Sequence, residues 1–349
     1  MKLKLHAFDL PLRHTFTISR ESINVQPTLV VELEQGGLSG YGEATANQYY
    51  GYTIESMAQA LHSVRPQIEA ASSIIADDPA RFWDEIYPLL RQNPFAHCAL
   101  DQAAYDLWGK LRGKRVTELW GLSTASIPAS NYTIGIDALD VMVAKLREFP
   151  NWPIYKIKLG TPRDLEIVRQ LRQHTEAIFR VDANCGWSVD EAIANSKPLK
   201  ELGVEFIEQP LPPDKWDDYR RLRAESSLPI IADESCLVEA DVERCAGLFH
   251  GINIKLVKCG GLTPARRMIA RARQLGLGVM VGCMTESTVG ISAIAQLLPL
   301  LDYVDMDGAV LLAEDIAQGA HVVQGICRYS TENGSGVRLL KEGRDPLAA

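Results

Sequence analysis

KIKLG (156–160), VDAN (181–184), IEQP (207–210), ADES (232–235) and NIKL (253–256) each place a charged residue where a buried strand should end. Those residues are Lys158, Asp182, Glu208, Asp233 and Lys255, and the gaps between them are 24, 26, 25 and 22 residues. YTIG (132–135) and DMDG (305–308) extend the series on either side. A recurrence of 20–50 residues marks a repeated supersecondary unit. One strand, one loop and one returning helix need about that length. The pattern predicts an α/β chain with a (β/α)8, TIM-like barrel that delivers one polar residue per unit to one end.

With YTIG as barrel strand 1, Lys158 ends strand 2 and Lys255 ends strand 6. These two strands lie opposite each other in an eight-stranded barrel, so the lysines should face across its mouth. Asp182, Glu208 and Asp233 end strands 3, 4 and 5, on the arc between them. Three neighbouring carboxylates repel unless a cation sits among them, and an all-oxygen ligand set suits Mg²⁺. Acids that merely cap helices at the barrel rim are a weaker explanation for three in successive units.

Lys156 and Lys158 are two apart on a strand and share a face. Two adjacent ammonium groups should lower the pKa of at least one, which suits a general base. A cation beside two opposed lysines can bind a carboxylate and stabilise the enediolate left when the adjacent α-proton departs. One lysine takes the proton from one face and the other returns one to the opposite face. Asp305 and Asp307 in DMDG again share a face, opposite Glu208, and would attract a positive group on the substrate. An N-cap or loop acid pair is the alternative for these two.

The first 120 or so residues do not follow the repeat. TLVVEL (28–33) and LSGYGEA (38–44) flank QGG and read as a hairpin. Residues 54–70 and 95–113 show helical spacing, with Ala99, Ala103, Leu107 and Leu111 at four-residue steps. Strands followed by helices suggest a separate α+β domain. GLSTASIPAS (121–130) is the candidate boundary, giving a cap over 1–122 and a barrel over 123–312. Barrel helices are expected at 163–174, 189–202, 214–226, 237–248, 262–276 and 288–301, with Pro198 kinking or shortening one of them.

The bulk composition narrows the class. The chain has 349 residues, 46% hydrophobic and 23% charged, with net charge −8. That composition supports a full core. There is no basic stripe with interleaved aromatics, so nucleic acid is not an expected partner. No apolar run is long enough for a membrane helix, and the first residues lack a signal-peptide pattern. Seven scattered cysteines with no CxxC pair fit reduced thiols in a cytoplasmic protein. Seven scattered histidines without HExxH spacing give no zinc signature.

KIKLG, VDANCGW, IEQP, ADES and NIKLVKCGGL resemble the enolase superfamily, muconate-lactonising subgroup, over about residues 10–340. DMDG resembles the dipeptide epimerases within that subgroup. The resemblance implies one Mg²⁺ per subunit on Asp182, Glu208 and Asp233. It implies Lys158 as acid/base for the (R)-configured substrate and Lys255 for the (S)-configured one. Lys156 would be an electrostatic and substrate contact, and Asp305 and Asp307 would hold a dipeptide's α-ammonium. Thr133, Cys283 and Thr285 match positions lining the substrate site, and Lys258 is the rival for Lys255. The implied substrate is a dipeptide epimerised at its C-terminal residue, L-Ala-D/L-Glu first, with aliphatic or proline-containing dipeptides as alternatives. Muconate cycloisomerase or o-succinylbenzoate synthase chemistry is more remote. The tail, 313–349, is expected to return to the cap, and the chain can form a homo-oligomer. Specificity is expected from cap loops 14–24 and 46–54. There Arg20 can pair with an acidic side chain or lie in solvent, and Tyr49, Tyr50 and Tyr52 can line the pocket or pack beneath the loop. Cys185 stands where relatives often carry Gln, and Cys283 where a relative carries serine.

Overall fold

The computed structural model describes residues 1–19 and 21–347; Arg20 lies outside them. The first sheet joins β1 (Lys2–Ile18), β2 (Glu21–Gln35) and β3 (Leu38–Thr45) in antiparallel order. The QGG turn sets the β2–β3 register, from Gln35 opposite Leu38 to Thr28 opposite Thr45. The hairpin read from the sequence is therefore present, and β1 is the strand that reading left out.

The helix Pro94–Arg112 crosses β3 closely. Asn93 caps its start and Gly113, in the left-handed region, ends it. A Cβ on Gly40 would lie 2.3 Å from the Ala103 carbonyl, and one on Gly42 2.0 Å from that of Ala99. Only glycine lets the two backbones approach this far. The other face of the sheet meets the end of the chain: Phe8, Leu10 and Val30 form one apolar cluster with Leu312, Ile316 and Val337. Ala7 and Arg344 exchange backbone hydrogen bonds.

The eight parallel strands follow in sequence order as neighbours: β4 (Tyr132–Ile134), β5 (Ile154–Lys158), β6 (Ile178–Asp182), β7 (Val204–Glu208), β8 (Ile230–Ala232), β9 (Gly251–Ile254), β10 (Gly278–Gly282) and β11 (Tyr303–Asp305). A Ser130–Val304 bridge and a hydrogen bond from Met306 N to Ser130 Oγ close the ring. Register puts Lys158 beside Asp182, and Asp182 beside Glu208. Lys158, Asp182 and Glu208 thus end their strands at one level, and Asp233 and Lys255 directly follow the ends of β8 and β9.

The helices depart from expectation where local chemistry intervenes. The segment 288–301 is α-helical over Thr288–Ala295 and resumes as a 3-10 turn over Leu298–Leu300, where Pro299 sits in the first turn and costs no intrahelical hydrogen bond. The segment 237–248 reduces to Asp241–Cys245, since the Asp241 carboxylate accepts from Leu237 N and Val238 N and holds a turn. Pro198 does not shorten its helix, which runs over Val189–Glu201 with the proline inside it. Helices not read from the sequence are Ser72–Asp77, Pro79–Leu90 and Leu139–Glu148, with the single turns Val116–Leu119 and Leu256–Cys259.

Candidate active site

The strand ends converge on one cleft beneath the cap. Lys158 and Lys255 both line it, with Lys156, Thr133, Asp305 and Asp307. Cys283 and Thr285 lie on the same wall as Asp307, and Tyr50 enters from the cap. Tyr52 instead stacks on Phe95 with ring centroids 4.5 Å apart, and Tyr49 is exposed. Phe16, Ile18 and Ile23 of the first hairpin form the apolar part of the cap's wall.

Asp182, Glu208 and Asp233 are fully buried, and one oxygen from each lies within 4.8 Å of the others. Their supports are specific. Asn184 N donates to Asp182 Oδ1 at 2.8 Å, in a turn where Asn184 and Cys185 take φ of 45° and 66°. Asn253 Nδ2 donates to Glu208 Oε1 at 2.8 Å. Gln209 Oε1 accepts from Asp233 N and Ser235 N at 2.9 and 3.1 Å, locking β7 to the turn after β8. Sequence reading passed over Asn253 and Gln209. Their signal was present, as amides at the buried ends of NIKL and IEQP.

Four lysines meet these acids. Lys158 Nζ donates to Asp182 Oδ2 at 2.7 Å. Lys255 Nζ lies 2.9 Å from Asp233 Oδ2. Lys258 is not in the cleft: it is buried below Lys255 and donates to Asp233 Oδ1 at 2.5 Å and to the carbonyls of Asp233, Cys236 and Asn253. Lys156 Nζ bridges two groups of acids, at 2.8 Å from Glu208 Oε2, 2.9 Å from Asp305 Oδ2 and 3.3 Å from Asp182 Oδ2.

The lowering expected for at least one of the two adjacent lysines does not fall on Lys156. Lys156 does not lose its charge to the neighbouring lysine. Burial works against its ammonium, but Asp305, Glu208 and Asp182 outweigh burial and hold its pKa well above the ordinary lysine value. Lys255 is raised in the same way, with burial opposed chiefly by Asp233.

The acids divide. Asp233 is driven well below the carboxylate range, since Lys255 and Lys258 overcome its burial. Glu208 is pushed up to about 7, by burial first and then by Asp182 and Asp233 against the pull of Lys156. Its Oε2 is ion-paired with Lys156 Nζ at 2.8 Å. Three buried carboxylates whose oxygens lie within 4.8 Å of one another, one of them raised by its neighbours, fit a divalent cation with oxygen preference.

The second acid pair is arranged differently. Asp305 accepts from Asn131 Nδ2 at 2.8 Å and faces Lys156. Asp307 accepts from Thr133 N at 2.5 Å and from Thr133 Oγ1 at 3.3 Å, with Cys283 Sγ at 4.0 Å. Burial first, and then Asp305, raise the Asp307 pKa well above the usual range. No lysine or arginine pairs with Asp307 among the described residues.

An eight-stranded β/α barrel with a discontinuous cap, opposed lysines and a buried acid triplet defines an enzyme of the enolase-like class. The chain belongs to that superfamily: the Enolase C-terminal domain-like family matches residues 141–343, and the mandelate racemase / muconate lactonizing enzyme N-terminal domain matches residues 3–121. Among its relatives is an L-Ala-D/L-amino acid epimerase of Flavobacterium johnsoniae, 57% identical over 97% of this chain and 100% of the relative. An L-Ala-D/L-Glu epimerase of Bacteroides thetaiotaomicron is 39% identical over 97% of this chain and 88% of its own. A dipeptide epimerase from Methylococcus capsulatus, solved with Mg and the dipeptide L-Arg-D-Lys, superposes with a TM-score of 0.85 at 32% identity, over 97% of this chain and 99% of that one.

Proposed function

We propose that this chain is a Mg²⁺-dependent dipeptide epimerase that inverts the α-carbon of the C-terminal residue. L-Ala-D/L-Glu belongs to its substrates within a broader L-Ala-D/L-X range. The observation that carries the reading is one cleft lined by Lys158, Lys255 and the Asp305–Asp307 pair, with the buried acids Asp182 and Asp233 in direct contact with the two lysines. The relatives named for dipeptide epimerisation support the same reading.

Asp182, Glu208 and Asp233 would hold the metal. When bound, it supplies the positive charge that stabilises an enediolate on the substrate carboxylate. Lys158 takes the α-proton of the (R)-configured residue, and Lys255 delivers a proton to the opposite face; the reverse reaction exchanges their roles. Lys156 holds the negative charges of Glu208 and Asp305 in register. Asp305 and Asp307 receive the α-ammonium, with Thr133 orienting Asp307. Thr285 and Cys283 shape the wall beside it. Residues 1–122 and the returning tail 313–349 act as the cap that covers the barrel, 123–312, and set substrate preference. Arg20 is assigned to the cap loop that reads the second side chain. Such an activity suits the recycling of cell-wall peptides in a bacterial cytoplasm.

The test is α-proton exchange followed by NMR in D₂O with Mg²⁺ and a panel of L-Ala-L-Glu, L-Ala-L-Leu and L-Ala-L-Lys. Loss of the C-terminal residue's α-proton signal with formation of the epimer is expected. A protein that exchanges none of the panel is not a dipeptide epimerase of this range.

A further inference from the structure

The turn that follows Lys255 is held at its start by the barrel, where Lys258 Nζ meets Asp233, Cys236 and Asn253, and at its end by the cap. Residues Leu256–Cys259 form one helical turn, followed by Gly260 and Gly261 with φ of 98° and 123°. Trp83, on the cap helix Pro79–Leu90, donates from Nε1 to the Gly260 carbonyl at 2.8 Å. Its indole stacks on His97 with centroids 4.7 Å apart, and the Arg267 guanidinium lies 5.4 Å from its ring. Asp101, on the cap helix Pro94–Arg112, accepts from Thr263 N at 2.8 Å and Thr263 Oγ1 at 3.0 Å. A Cβ on Gly261 would lie 2.4 Å from Asp101 Oδ2, so the glycine is what lets the cap carboxylate reach this turn. Trp83 and Asp101 are both buried.

The turn that follows Lys158 is held by the barrel itself. Asp164 accepts from Gly160 N at 2.9 Å and Thr161 N at 2.8 Å, and Trp187 Nε1 donates to Asp164 Oδ2 at 2.7 Å. The cap touches this wall through Ser19, whose Oγ donates to the Asn184 carbonyl at 3.3 Å.

We propose that Trp83 and Asp101 are positioning residues for Lys255 alone, so that the cap governs one of the two proton transfers. This rests on the lysine roles proposed above. Loosening the cap's hold displaces the Lys255 ammonium relative to the substrate α-carbon, and displacement of a reacting group by about 1 Å can cost roughly 10²-fold in rate. Lys158, braced by Asp164 and Trp187, is left in place.

The experiment follows exchange without inversion. A one-sided enzyme still exchanges the α-proton of the epimer whose lysine is intact, because that lysine removes a proton and returns a deuteron to the same face. Wild type, Trp83→Phe, Asp101→Asn and the mirror variant Trp187→Phe are incubated in D₂O with Mg²⁺ and, separately, L-Ala-L-Glu and L-Ala-D-Glu. Deuterium in the unconverted substrate is measured by mass spectrometry. The readout is the ratio of the two initial exchange rates, which does not depend on how much of a variant is folded. Trp83→Phe and Asp101→Asn should lower the rate from the L epimer relative to the D epimer by about fivefold or more, and Trp187→Phe should move the ratio the other way. Equal loss from both epimers, or an unchanged ratio, overturns the proposal. A wild-type protein that exchanges neither substrate would instead refute the dipeptide-epimerase reading.

Discussion

The two lysine walls are built to the same plan from different parts. Each lysine is followed by a tight turn containing glycine, braced by one buried aspartate and one indole N–H. On the Lys158 wall these are Asp164 and Trp187, both from the barrel. On the Lys255 wall they are Asp101 and Trp83, both from the cap. The difference separates what the barrel can do alone from what needs the cap. A cap that also supplies the Ile18, Ile23 and Tyr50 wall can link recognition of the substrate to placement of one proton carrier.

Removing the lysines themselves should break the symmetry most severely. A positioned general base contributes on the order of 10²–10⁴ in rate, so Lys158→Ala and Lys255→Ala should each lose epimerisation by about 10³-fold or more. Each should keep exchange of the one epimer whose lysine remains. NMR of both epimers in D₂O checks this. If Lys158→Ala still exchanged the (R) epimer at the wild-type rate, Lys158 would not be the carrier on that face.

The Asp101 carboxyl gives the cap-built wall a pH signature in stability. Burial pushes its pKa up to about 7, against the hydrogen bonds from Thr263, while its ordinary value is 3.8. The folded protein therefore binds this proton more tightly than the unfolded chain. The resulting stabilisation is fully present below the unfolded pKa and is lost as pH rises through about 7. Its ceiling is about 4 kcal/mol for a fully buried group. Asp101→Asn, which cannot titrate, should flatten the fall in unfolding free energy between about pH 4 and pH 7. Denaturant titrations across that range measure it.

The barrel was legible in the sequence because its charged residues are spaced by the length of a βα unit. Lys158, Asp182, Glu208, Asp233 and Lys255 stand at adjacent strand ends for that reason. The cap's hold on Lys255 was not legible. Trp83 and Gly260 are 177 residues apart, and Asp101 and Thr263 are 162 apart. No local pattern announces contacts of that separation. Lys156 shows a second limit. Its spacing from Lys158 suggested mutual repulsion, but the acids that neutralise it come from three other strands. β1 was missed because Pro11 and the mixed run after it interrupt the alternation, and the β1–β2 register shifts between Pro11 and Phe16.

The acid pair should have a smaller effect than either lysine, and its value lies in being the same on both walls. Asp307 has Thr133 as its anchor and touches neither Lys158 nor Lys255. A charged hydrogen bond to a substrate ammonium is worth about 1.5–3 kcal/mol, so Asp307→Asn should lower kcat/KM by roughly 10- to 100-fold. It should do so equally for the L and D epimers, because the ammonium lies at the substrate end common to both. An N-acetylated dipeptide, which carries no ammonium, should be used poorly by the wild type and no worse by the variant. If Asp307→Asn shifted the ratio of the two exchange rates as Trp83→Phe is expected to, the acid pair would act on a proton carrier. The division of the site into a shared anchor and two separately braced lysines would then fail.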